Sequence, residues 1–207
     1  MLQTPSIHFI HSTKAEEMFY STFTKKKERN PILQACFNIE PSHNLLKGFE
    51  EYRRTLGPYG QYEELLFHGT TVKCDIVKTK KLCDSKDCGV CSISKVGFKL
   101  DKSGSVHKWT RFGHGIYLAT NSSKSHEYTV GSYDVRTLLL CKVLTGHKYE
   151  TYTNMADLTE PPKGFHCVQG KVGPTLNYEE TVVYNDQCIL PLAILVYELE
   201  GISRLIP

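Results

Sequence analysis

No apolar run in this sequence approaches the roughly 18 residues that a membrane-spanning helix requires. The longest, residues 189–196, is interrupted by Pro191 and reads as a buried strand. Net charge is almost absent: 25 Lys and Arg stand against 22 Asp and Glu, a formal +3. Nucleic-acid binding therefore finds no support in overall charge, only in local patches. The short basic runs at residues 25–27 and 78–81 read as solvated surface. No internal repeat and no low-complexity segment is present. Residues 1–12 lack a basic segment followed by an apolar core, so no secretory signal is expected.

What is there suits a folded domain. A chain of 207 residues fits one domain, or one with a small appendage. It should bury roughly 70% of the surface its unfolded form exposes, without help from disulfides. A composition 40% hydrophobic and 23% charged excludes a disordered tail or a collagen-like repeat. Eight cysteines in a chain this long fit a reduced intracellular protein better than a secreted scaffold, and clustered ones then point to metal.

The patterning predicts a strand-rich α+β chain with helices concentrated near the N-terminus. A short helix is expected over residues 11–24, led by Ser12 and Thr13, then a strand over residues 32–39. Leu45, Leu46, Phe49, Tyr52 and Leu56 fall at helical spacing, with Ser42 as N-cap and Gly57-Pro58 as stop. Further strands are expected over residues 65–67, 96–100, 115–119, 137–144, 181–184 and 189–199. A one- or two-turn helix is expected over residues 121–128.

Three segments carry candidate chemistry. His68-Gly69-Thr70 ends an apolar strand, which sets an imidazole beside an open glycine backbone. A core histidine before a turn is the competing reading. The run from Arg111 through Gly113-His114-Gly115-Ile116-Tyr117-Leu118-Ala119 continues to Ser123-Lys124-Ser125 and Tyr128. Its Gly-x-Gly is weak evidence for phosphate binding, because no further glycine completes the dinucleotide fingerprint. A strand turning into a helix there would let Tyr117 and Tyr128 sandwich a flat heterocycle; two core tyrosines are the alternative. Glu179 and Glu180 enter the strand that holds Thr181, Val182, Val183 and Tyr184. Alternation sends the two carboxylates to opposite faces, so Glu180 is the odd charge on an apolar face.

Taken together and in this order, these motifs resemble the catalytic domain of the poly(ADP-ribose) polymerase family, the diphtheria-toxin-like ADP-ribosyltransferases of His-Tyr-Glu type. The resemblance covers residues 35–199, so residues 1–34 are expected as an N-terminal extension and 35–207 as the catalytic domain. It implies an ADP-ribosyltransferase fold of mostly antiparallel sheets forming an NAD cleft with flanking helices. It also implies His68, Tyr117 and Glu180 as the catalytic triad, with His68 on the adenosine ribose. Gly69 and Ser125 would hold the nicotinamide carboxamide, Tyr128 and Tyr117 would flank its ring, and Thr70, Gly115 and Ala119 would complete the NAD contacts. Glu180 would bond the nicotinamide ribose and polarise the acceptor.

One segment departs from that pattern. Cys74, Cys83, Cys88 and Cys91 lie between the first two motifs, where most family members have a short loop. Four cysteines this close fit tetrahedral zinc–thiolate ligation better than free or redox thiols, and four thiolates leave no open position for catalysis. A small structural zinc-bound loop is therefore expected over about residues 73–95. It holds too few large apolar side chains for a core of its own. Cys36, Cys141, Cys167 and Cys188 read as buried thiols.

The implied function is transfer of ADP-ribose from NAD to an acceptor, favoured as a protein and possibly the chain itself, with mono-ADP-ribosylation favoured over chain growth. Two other readings stand beside it: a catalytically weak NAD- or ADP-ribose-binding module, and a transferase acting on nucleic-acid ends. An intracellular setting is expected, with no membrane association.

Overall fold

The computed structural model describes residues 5–10, 14–24, 29–102, 110–129 and 135–201. In chain order the elements are β1 (Ser6–Ile10), α1 (Lys14–Thr22), β2 (Pro31–Glu40), α2 (His43–Thr55), β3 (Glu63–Gly69), α3 (Ile76–Thr79) and α4 (Gly89–Val96). There follow β4 (Ile116–Leu118), α5 (Ser122–His126), β5 (Arg136–Leu144), β6 (Lys148–Thr151), β7 (Cys167–Gly170), β8 (Glu180–Val183) and β9 (Ile189–Leu199). Among the described residues no helix is long and apolar enough to cross a membrane.

Two sheets form. The first runs β1-β2-β9-β5-β3 and is antiparallel throughout. The second runs β4-β8-β7-β6, with only β6 and β7 parallel. They meet where Phe67 at the end of β3 bridges Ala119 just past β4, through reciprocal N–H to carbonyl bonds of 2.7 and 3.0 Å. β9 lies at the centre of the first sheet, and Leu195, Ile194 and Val196 are fully buried. Pro191 is tolerated inside it because the pairing with β5 shifts register between Leu140 and Cys141 at that point.

α2 behaves as its spacing predicts. The Ser42 hydroxyl accepts from Leu45 N at 3.4 Å, Phe49 is buried, and the helix stops before Gly57, whose φ of 54° leaves the helical region. α1 begins at Lys14; Ser12 and Thr13 lie outside the described residues. Its Phe19 is fully buried against Tyr197 of β9, with ring centroids 5.0 Å apart. So a helix from the first 34 residues packs onto the first sheet, and β1 pairs with β2.

The strand expected over residues 96–100 does not form. α4 continues to Val96, Gly97 closes it at φ 79°, and residues 100–102 make a single 3₁₀ turn. The reason is helical periodicity hidden among the cysteines: Val90, Cys91 and Ser94 bury one face of α4, whereas Val96 is exposed. The apolar groups of this segment do not stand alone, because Ile76, Val90, Cys88 and Cys91 join the main core. Cys36, Cys141, Cys167 and Cys188 are buried, and burial pushes the last three thiols above their usual range.

Candidate active site

The junction of the two sheets opens into a cavity of about 590 Å³, within the usual range for a small-molecule site. His68, Gly69, Thr70, Gly115, Tyr117, Ala119, Ser125, Tyr128 and Glu180 all line it. Each arrives from a different piece of local logic.

His68 is the penultimate residue of β3. The Phe67–Ala119 bridge brings its ring to the backbone of β4, where Nδ1 lies 2.9 Å from the Tyr117 carbonyl. A carbonyl only accepts, so Nδ1 carries the proton and Nε2 is left as an acceptor. Burial holds the imidazole below its ordinary pKa of 6.5, against the opposing pull of the Tyr117 carbonyl. The Phe98 ring packs nearly perpendicular to the imidazole, with centroids 4.9 Å apart.

Gly69 follows. A Cβ at this position would fall on the Ser125 carbonyl oxygen and press on Tyr128 Cβ, so only glycine lets β3 end flush against α5. α5 starts at the Asn121 cap, whose side chain accepts from Lys124 N at 3.2 Å. Its other support comes from α1: Ser122 Oγ donates to the Phe19 carbonyl at 2.8 Å, and Ser122 N donates to Thr22 Oγ1 at 3.1 Å. Thr24 N adds a bond to Ser123 Oγ at 2.7 Å. Ser125 Oγ, buried, donates to the Phe67 carbonyl at 2.9 Å.

Tyr117 points its ring along the cavity, but its hydroxyl is already engaged. It donates to the Gly113 carbonyl and accepts from Phe112 N, both at 2.9 Å. Burial raises its pKa, and that of Tyr128, so both phenols stay neutral.

Glu180 opens β8 and is only 3% exposed. Its Oε1 lies 3.0 Å from Lys124 Nζ and 3.2 Å from the Tyr128 hydroxyl; its Oε2 lies 4.0 Å from Arg111 Nε. Glu179 faces the other way, to Gln169 Nε2 at 2.7 Å and to Lys171. Lys124 also reaches Glu127 at 3.1 Å and sits 5.1 Å over the Tyr128 ring. Burial pulls its pKa down, but Glu180, Tyr128 and Glu127 outweigh that and raise it above the usual lysine range. Lys124 and Arg111 were not expected on the Glu180 carboxylate. A lysine in a polar stretch reads as solvated, and only the fold turns these two inward.

Cys74, Cys83, Cys88 and Cys91 converge beside this cavity, with all four sulfurs within 4.8 Å of one another. Cys74 Sγ lies 3.9 Å from Cys88 Sγ and 3.6 Å from Cys91 Sγ. These separations are too long for disulfides. They match the ~3.8 Å edge of a tetrahedron whose sulfurs sit ~2.3 Å from a central ion. The cluster can hold a metal ion.

Two largely antiparallel sheets thus meet at a cleft lined by His68, Tyr117 and Glu180. Residues 12–200 match the poly(ADP-ribose) polymerase catalytic domain, and the chain belongs to that family. The chemistry of the family is NAD-dependent ADP-ribosyl transfer.

The state of His68 sets a pH dependence. Its pKa is lower folded than unfolded, so the unfolded chain binds more protons in the window below about pH 6.5. The His68 contribution to stability is therefore complete above that pH and is lost as pH falls towards the lowered value. In thermal melts, wild type should lose stability between pH 7 and pH 5 faster than His68→Gln. Parallel curves would show that His68 does not titrate in this window.

Proposed function

We propose that this chain transfers ADP-ribose from NAD to a nucleophile on a protein, in single additions, with release of nicotinamide. The observation that carries the reading is the buried Glu180 carboxylate, which lines the cavity and is flanked by Lys124 and Arg111. Breaking the bond between C1′ of the ribose and the nicotinamide nitrogen sends the electron pair to the leaving ring and builds positive charge on C1′. A fixed carboxylate stabilises that charge, bonds the 2′-hydroxyl and receives the proton of the incoming nucleophile. Lys124 and the Tyr128 hydroxyl hold Glu180 Oε1 in place, which spares reorganisation at the moment of reaction.

The other roles follow the same reading. The Tyr128 and Tyr117 rings flank the nicotinamide. The Gly69 backbone holds the carboxamide, and Ser125 Oγ, its own proton engaged, accepts a carboxamide N–H. His68 Nε2 accepts the adenosine ribose 2′-hydroxyl. Thr70, Gly115 and Ala119 complete the walls. For the four-cysteine cluster we propose zinc, which would order the segment and supply no reactive group. An intracellular, reducing setting suits it.

Incubation with labelled NAD, followed by mass analysis of the acceptor and of free nicotinamide, tests the whole. Labelled protein supports the reading. NAD binding without nicotinamide release favours the binding module, and label on nucleic acid alone favours the end-modifying reading.

Benzamide should raise the melting temperature, because it binds only the folded state. Tyr128→Ala should remove most of that rise by deleting a stacking face. No shift at millimolar benzamide would sink the nicotinamide assignment.

A further inference from the structure

The charges that line the cavity fall into two groups. Around Lys124 they are matched: Glu180 and Glu127 pair with it, with Arg111 beside Glu180. The second group lies on residues 86–102, the stretch that carries Cys88, Cys91 and α4. Lys86, Lys99 and Lys102 line the cavity there against one carboxylate, Asp87. Lys99 is engaged by Asp186 at 3.7 Å. Among the described residues Lys86 and Lys102 make no ion pair.

This stretch is fastened to the His-Gly-Thr strand rather than draped over it. Gly89 N donates to Thr71 Oγ1 at 3.0 Å, Val90 N to the Thr71 carbonyl at 3.0 Å, and Thr71 Oγ1 to the Asp87 carbonyl at 3.1 Å. A Cβ on Gly89 would collide with Thr70 Oγ1, so the Gly89 backbone lies directly against the threonine side chains. Leu100 N donates to Asp186 Oδ1 at 2.6 Å, which holds the turn carrying Lys99 and Lys102 against the cavity.

A dinucleotide donor carries its negative charge on the diphosphate alone, and its nicotinamide end is cationic. Surplus positive charge on one wall of the cavity therefore orients it. We propose that residues 86–102 form the recognition wall for the adenosine diphosphate half of the donor, with Lys86 and Lys102 as its phosphate-facing charges. The proposal rests on the NAD reading above, and it makes the cysteine segment a determinant of donor affinity rather than of the chemical step.

The test compares NAD, ADP-ribose and benzamide binding by calorimetry to the full chain and to Lys86→Glu/Lys102→Glu. Two reversed charges should weaken NAD and ADP-ribose by about tenfold to a hundredfold. Benzamide, which mimics only the nicotinamide half of the donor, should bind within about twofold of wild type, and that also reports a folded cavity. The wild-type affinity for ADP-ribose should fall with added salt, and the variant's should fall less. Unchanged NAD and ADP-ribose affinities would overturn the proposal. So would parallel loss of benzamide, because the segment would then support the whole cavity rather than one half. A wild type that binds none of the three would remove the NAD reading itself, and the proposal with it.

Discussion

Glu180→Gln should slow ADP-ribosyl transfer by about 10²–10³-fold, the usual cost of removing one preorganised electrostatic group. The amide keeps the shape and loses the charge that faces C1′. NAD affinity should change far less than turnover, since the proposed nicotinamide contacts come from Gly69, Ser125, Tyr128 and Tyr117, which also line the cavity. The companion variant Glu179→Gln should retain most activity. Glu179 sits on the other face of the strand, bonded to Gln169 and Lys171. Single-turnover rates with labelled NAD, beside calorimetric affinities, check both. Equal loss from the two variants would reject the assignment.

The second large effect is expected at the cysteines. Chelation, or Cys88→Ser with Cys91→Ser, should lower the melting temperature by about 10 °C or more and weaken NAD binding with it. Structural zinc contributes on the order of 10 kcal/mol in zinc-finger peptides, comparable with the whole stability of an ordinary domain. Part of that is retained here without metal, since Ile76 and Val90 belong to the main core. The coupling to NAD follows from the bonds between Thr71 and residues 87–90. Metal analysis should give about one zinc per chain. A metal-free protein of unchanged stability and activity would refute the role.

Most of the scaffold could be read from the residues because local and global signals agree. Leu45, Phe49 and Tyr52 repeat at helical spacing on α2, and β9 is a continuous apolar strand. β6 and β7 escaped notice for the opposite reason. Each is four residues long, and Lys148, Glu150 and Gln169 give them no apolar alternation. At the site, His68, Tyr117, Tyr128 and Glu180 were visible through their motifs and line one cavity. Lys124 and Arg111 were not, because a cation's partner lies elsewhere in the chain and spacing does not encode it. The wall from residues 86–102 was hidden in the same way. Its docking uses backbone N–H groups and a threonine, and no side-chain pattern announces those.

The central place of β9 has a consequence for how the chain comes into being. β9 is synthesised after every other described element, yet it pairs with both β2 and β5. Until residue 199 has left the ribosome, β1-β2 and β3-β5 are two separate hairpin-like pieces, each with an unpaired apolar edge. Leu138, Leu139 and Leu140 on one and Ala35, Cys36 and Phe37 on the other stay open to water or to another chain. The cleft cannot exist in that interval, because the sheet that carries His68 has no centre. The nascent domain is thus at its most aggregation-prone just before β9 emerges, and a holding chaperone has two defined edges to cover.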